Sequence, residues 1–356
     1  MRSLGLGLGL ALVLACPLAA SAKDDEARVH GPSGGDDTPM LQQAIDLTKS
    51  GGRLFIPVGH YTLQGTLVVN KPITIIGTGL GAQLYETGNQ TLFRFTNVNG
   101  AAMRDLYLGS NATLAGASLI ELVNSHHNEI QNVTMLGGYY GLHLLGSLLN
   151  TVIDLRSGVN FGGFFAPVST NQVWVMGEPF NGISPNANTF IGPALEGGTN
   201  GIVLADPTHQ TSIQIFGGSI EGVSGVGVTF RGAFLPSSIT GVDFEANGQD
   251  IVVSASSNIK IAAINSVNTS PGALPQIAIS GDSRNVQISD SVIESLSVTA
   301  AAKRVLLQNV TFGTAFCPSS LLNLPAPAAY TATIGAVPDA IANITAANVG
   351  NYCGGQ

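Results

Sequence analysis

The sequence predicts an all-β chain wound as a single-stranded parallel β-helix (solenoid) with a short N-terminal capping helix. Three observations carry that expectation. Glycine fills 45 of 356 positions, well above the roughly 7% of ordinary proteins and without the three-residue period of collagen, so the chain turns often. It is 44% apolar but only 6% aromatic, and its short runs rich in Val, Ile, Thr and Ser suit strands stacked on their neighbours. Third, a small residue, an apolar residue and a glutamate recur at intervals in the twenties, the length of one coil of about three short strands with their turns.

Taken in order, Arg2 precedes an apolar run from Leu4 to Leu14, and Ala20-Ser21-Ala22 supplies the small-x-small pattern of a cleavage site. These features predict a signal peptide over 1–22, cleaved near Ala22, and a secreted or periplasmic protein. Pro17 after Cys16 fits a lipoprotein anchor poorly. No later segment approaches 18 uninterrupted apolar residues, so no membrane span is expected. With Cys16 removed, Cys317 and Cys353 form an even pair in an oxidising compartment, and a disulfide closing the tail 317–356 is expected, the alternative being two buried thiols. Six Asn-x-Ser/Thr sequons, at Asn89, Asn111, Asn132, Asn268, Asn309 and Asn343, acquire meaning only in a glycosylating host.

The helical cap is expected over about 36–52, opening a β-helix domain over 23–316. Asp36-Asp37-Thr38-Pro39 offers an acidic or hydroxyl N-cap and a proline in the first turn; Leu41, Ala44, Ile45 and Thr48 follow at helical spacing, and Gly51-Gly52 stops the helix. RLFIPVGHYTL, GTLVVN and ITIIGTG then read as consecutive strands.

The repeat is read in one frame: Ala194-Leu195-Glu196, Ser219-Ile220-Glu221, Asp243-Phe244-Glu245, Ala263-Ile264-Asn265 and Val292-Ile293-Glu294, spaced by 25, 24, 20 and 29 residues. Leucine-rich repeats share the period but would demand a leucine lattice and an asparagine ladder that this reading does not find. Alternation turns Leu195, Ile220, Phe244, Ile264 and Ile293 inward and sends Glu196, Glu221, Asp243 and Glu245 onto one outer face. Carboxylates on rungs roughly 4.8 Å apart repel one another, and selection keeps such a ridge where something uses it.

That ridge fits glycosidic-bond hydrolysis, in which one carboxyl protonates the leaving oxygen and another activates water or attacks the sugar. Glu221 and Asp243 are the first catalytic pair, diagonal at about 8 Å and so in the inverting range; Glu245, directly above Glu221, is the third catalytic candidate. We assign substrate contact to Glu196, Trp174, Tyr140, Arg231 and His143. Trp174, the one tryptophan, stacks on a sugar if it flanks a groove and packs inside if it does not. His143 either sits outward near Arg156 as a substrate contact or is a hydrogen-bonded surface histidine, the reading that its position favours, and no cluster has metal-ligand spacing. The competing structural account puts the acids at rung corners, paired with Arg231, Lys260 or backbone amides.

The stretch DDTPMLQQAIDLTKSGGRLFIPVGHYTLQGTLVVNKPITIIGTG resembles the opening of the pectate-lyase superfamily, in its rhamnogalacturonase- or epimerase-like branch, which also occurs in phage tailspike depolymerases. The likeness covers about 36–315. It implies right-handed winding and carbohydrate chemistry of one kind or another, because members include glycoside hydrolases, polysaccharide lyases, epimerases and proteins with no assigned activity. The active-site patterns of that superfamily are not reproduced: in place of a Gly-His-Gly there is a Gly59-His60-Tyr61 in the first coils, and Asn258-Ile259-Lys260 keeps only the last two residues of an Arg-Ile-Lys.

Lys and Arg number 14 against 22 Asp and Glu, a formal charge of −8, which excludes a phosphate-neutralising nucleic-acid partner. The expected partner is a polysaccharide or oligosaccharide, and the protein is a monomer or a homotrimer. No cofactor is expected for hydrolysis. Lyase or epimerase chemistry on uronates would need cations, with calcium on Glu196, Glu221, Asp243 and Glu245 as one source, while a noncatalytic scaffold or glycan-binding protein would need neither.

Overall fold

The computed structural model describes residues 26–111, 115–158, 169–176, 183–205, 211–267, 274–299 and 301–312. The expected signal peptide over 1–22 and the expected Cys317–Cys353 disulfide lie outside the described residues, as does Asn268. Within them the chain is a parallel β-helix with a single α-helix. One sheet holds 19 strands and a second holds ten, and every paired register between strands is parallel.

One coil shows the construction. Asn188–Ile191 and Ala194–Glu196 add to the large sheet and Asn200–Ala205 to the small one; the next coil repeats this with Ile213–Phe216, Ser219–Glu221 and Val226–Arg231, and the third with Ser237–Thr240, Asp243–Glu245 and Gln249–Ser254. The bend between the two large-sheet strands is made by a left-handed residue: Gly192 (φ 61°), Gly217 (φ 62°) and Gly241 (φ 72°) in these coils. Asp105, Asn132, Asp154, Ala263 and Asp290 hold the same conformation elsewhere, two of them joined by the Asn132 amide donating to the Asp105 carboxylate. Left-handed backbone suits glycine and, next best, Asn or Asp, which accounts for much of the glycine content.

The solenoid interior is column-packed. Leu195, Ile220 and Phe244 stack in register and are buried, as are Ile202, Val228 and Ile251 of the small sheet. Polar ladders thread the corners. Asn128 donates to Asn150 Oδ1 at 3.0 Å and Asn150 to Asn188 Oδ1 at 3.0 Å, all three buried, and Ser256 Oγ accepts from Ala233 N while Ser283 Oγ accepts from Ser256 N. An asparagine ladder is thus present, contrary to the expectation from sequence; it runs over three coils and satisfies backbone groups at a bend.

At the N-terminus the helix Thr38–Leu47 closes the barrel end with Leu41 and Ile45. Its capping differs from expectation. Asp37 occupies the N-cap position without a side-chain cap bond; its carboxylate accepts instead from Ser33 N (2.7 Å) and Thr62 N (3.0 Å), while Asp36 accepts from Thr38 N. Tethering helix to first coil outcompetes local capping. The C-cap is Thr48, whose hydroxyl donates to Ala44 O, before the Gly51-Gly52 step.

The repeat frame needs one correction. Asn265 registers with Asp243, Ser266 with Phe244, and Ile293 with Ser266, so the fourth repeat is Asn265-Ser266-Val267 and the frame built on Ile264 is two residues early. Ile264 is buried, but in the preceding inward position. The inward place below Phe244 belongs to Ser266, whose hydroxyl donates to the buried Asp250 carboxylate. A polar residue facing inward broke the apolar signal on which the frame was read.

Candidate functional site

Two outer faces gather chemistry-bearing residues. On the large sheet, Glu196 registers with Glu221 and Glu221 with Glu245, while Asp243, two residues before Glu245 on the same strand, registers with Ser219. Three glutamates therefore form one ridge at rung spacing, with Asp243 diagonal to Glu221 at about 8 Å between strand positions. Glu196, Glu221 and Asp243 are half-buried and Glu245 is exposed. Asn265 Nδ2 donates to Asp243 Oδ1 at 2.9 Å. Among the described residues neither Arg231 nor Lys260 forms an ion pair with Glu221, Asp243 or Glu245, so corner pairing with those cations does not explain the ridge. Nor do three or more His, Cys, Asp or Glu side chains converge as a metal-ligating group among the described residues.

On the small sheet, Arg94 registers with Glu121, Glu121 with His143 and His143 with Trp174. The Arg94 guanidinium donates to Glu121 Oε2, and His143 Nδ1 stands 3.6 Å from Glu121 Oε1, just beyond hydrogen-bond length. Burial pushes the Glu121 carboxyl up, but His143 and Arg94 together pull it below the usual carboxylate range. Tyr140 stacks on His143 with ring centres 4.3 Å apart and 26° between planes, and its ring lies 5.6 Å from Trp174 and 4.7 Å from Tyr139. Glu121 and His143 are buried although they point away from the solenoid core; Tyr140 and Trp174 are half-buried above them.

The sequence-predicted substrate residues are thus divided. Tyr140, His143 and Trp174 come together, while Glu196 stays with the acids. Arg231 is on the small sheet, exposed at the end of its strand and in register with Ala205 and Ser254, so it does not stand beside the acids. His143 is not near Arg156, which lies on the large sheet and donates to Asn132 Oδ1. Arg94 and Glu121 escaped the reading, though each precedes its successor by one coil, the spacing that exposed the glutamates.

The register and the winding define a parallel β-helix. No family model matches the chain, and no curated protein matches it. Solved structures with this fold do. The surface adhesin PfbA of Streptococcus pneumoniae superposes with a TM-score of 0.63 at 14% identity, over 81% of this chain and 90% of the adhesin. The A-module of the mannuronan C-5 epimerase AlgE4 from Azotobacter vinelandii gives 0.59 at 16%, over 80% and 92%. An alginate lyase from Paenibacillus sp. gives 0.57 at 14%, over 80% and 98%. Among the described residues no helix is long and apolar enough to cross a membrane.

Proposed function

We propose that the protein is a secreted carbohydrate-active enzyme, a glycoside hydrolase that cleaves a polysaccharide at the ridge formed by Glu221, Asp243 and Glu245. The observation that carries this reading is the register itself, which sets Glu221 beside Glu245 and diagonal to Asp243 on one outer face. Separation of about 8 Å leaves room for a water between sugar and base, the inverting arrangement. The amide of Asn265 donates to Asp243 Oδ1 and so orients that carboxyl group, the one assigned to activate water. Glu221 is then the acid that protonates the leaving oxygen, with Glu245 and Glu196 extending the face along the chain axis. A ridge of like charges on a chain of net charge −8 repels polyanions, so the polymer is neutral. Neighbours of the fold that are named for polysaccharide chemistry support a carbohydrate substrate, and one named as a GH87 alpha-1,3-glucanase supports a neutral one.

A second reading has its own observation. Arg94, Glu121, His143 and Tyr140 assemble a cation, a carboxylate, an imidazole and a phenol on the small sheet, the groups a uronate lyase or epimerase needs to neutralise a carboxylate and move a proton. A noncatalytic glycan-binding role, in keeping with the adhesin, is the third.

The test is incubation of the purified protein with neutral and acidic polysaccharides, with and without calcium, following reducing ends and unsaturated-sugar absorbance. Reducing ends alone, from a neutral polymer, are expected. Both signals from a uronate polymer select the lyase, and neither signal with retained glycan affinity after alanine substitution at Glu221, Asp243 and Glu245 selects the binding protein.

A further inference from the structure

The large-sheet column that carries Asp243 continues toward the N-terminus through Ser219, Ala194, Arg156 and Thr134 to Tyr107. Five rungs, about 24 Å, separate Tyr107 from Asp243. There the outer face opens into a cleft of about 420 Å³, lined by His60, Thr62, Gln83, Tyr85 and Tyr107 over the buried Leu84. That volume falls in the range of small-molecule sites.

Three features mark it as built. Tyr107 is 3% exposed although its position faces outward, and its hydroxyl has no hydrogen-bond partner among the described residues. The carbonyl oxygen of the Gln83 amide is likewise buried without a partner, while its nitrogen donates to Leu80 O at 2.8 Å. Buried polar atoms are normally paired, so two orphans in one small cleft call for a ligand. Tyr85 is held flat against the backbone by Gly109, where a Cβ would fall 2.6 Å from Tyr85 Cδ2. No side chain lining the cleft is an Asp, Glu, Lys or Arg. Burial, with Tyr85 adjacent, pushes the Tyr107 phenol up, which keeps it a neutral donor.

We propose that this cleft is a binding subsite for an uncharged sugar ring, with its apolar face on Tyr85 and its hydroxyls paired to Tyr107 Oη and Gln83 Oε1. Aromatic rings offer sugars an apolar platform with a polar handle, and a lining without Lys or Arg offers a uronate no fixed cation. That the ring belongs to the polymer cleaved at the acid ridge rests on the hydrolase reading; the binding itself does not.

The test is calorimetric titration of Glu221→Gln protein, unable to consume its ligand, with long neutral oligosaccharides from glucan, mannan, galactan and xylan, alongside oligouronates. One neutral series is expected to bind, weakened about tenfold by Tyr85→Ala and a few-fold by Tyr107→Phe, which removes only the hydroxyl. Gly109→Ala, which displaces the Tyr85 ring, should act like Tyr85→Ala, and Tyr107→Phe keeps the test informative if either of these two variants fails to fold. Unchanged affinity in these variants, tighter binding of oligouronates, or binding of no neutral series overturns the subsite. Cleavage by the wild type with unchanged affinity in the cleft variants removes the subsite and leaves the hydrolase; cleft-dependent binding without cleavage does the reverse.

Discussion

Asp250 shows how a single side chain reports on the interior. It is 1% exposed, accepts from Asn247 Nδ2 at 2.9 Å and from the Ser266 hydroxyl, and has Glu294 and Asp243 for charged neighbours. Burial raises its pKa to about 6, with the two acids adding to the rise and the two hydrogen bonds opposing it. The folded state therefore holds a proton that the unfolded chain has released between about pH 4 and pH 6. Stability from this group is fully present below the lower value and lost as pH rises through the upper one, a difference on the order of 3 kcal/mol. Denaturant unfolding of wild type and Asp250→Asn at pH 4.5 and 7.5 should show the wild type losing ground to the variant at the higher pH. A constant difference between the two proteins would contradict the buried, proton-holding carboxyl. Nothing in the sequence marked this residue, because an inward polar pair such as Asp250 and Ser266 is visible only once the register brings residues 16 apart into contact.

At the scale of elements, each coil rests on an inward apolar residue and a left-handed bend. Phe244→Ala removes a side chain stacked between Ile220 and Ser266, and should destabilise by about 3–5 kcal/mol. Gly217→Ala meets no atom within 4 Å, so its effect is confined to the φ of 62° and should be about 1–2 kcal/mol. Urea midpoints of the two variants rank these contributions; a larger loss at Gly217 than at Phe244 would mean that the bends, not the core columns, hold the coils. The strands were legible because glycine and apolar spacing repeat with every coil. The helix was legible from Pro39, Leu41 and Ile45, but the use of Asp37 as a tether to Thr62 was not, since a residue that satisfies a partner 25 positions away looks in sequence like a local cap.

On the scale of the molecule, winding turns distant positions into neighbours, and the candidate site was legible to the extent that it shares the coil period. Glu196, Glu221 and Glu245 could be aligned by eye because two intervals of 25 and 24 residues separate them. Arg94, Glu121 and His143 obey a similar period, but they belong to three different residue types and no repeated motif marks them. The cleft at Tyr107 depends on side chains from three strands and on Gly109 yielding space, a matter of shape that composition does not carry. The small-sheet cluster makes its own prediction: His143→Phe removes a group in contact with Glu121 and Tyr140. If the acid ridge is the catalytic centre, this variant should retain cleavage within a few-fold while the Glu121 carboxyl rises; loss of all cleavage would move the chemistry to the small sheet.

The central claim is that Glu221 and Asp243, one coil apart, work on the same glycosidic bond. The most direct measurement is the rate of reducing-end release from the neutral polysaccharide by Glu221→Gln and Asp243→Asn beside wild type, with circular dichroism confirming equal folding. Each variant is expected to lose about a hundredfold or more, the usual weight of a catalytic acid or base; wild-type rates in either one would contradict the account.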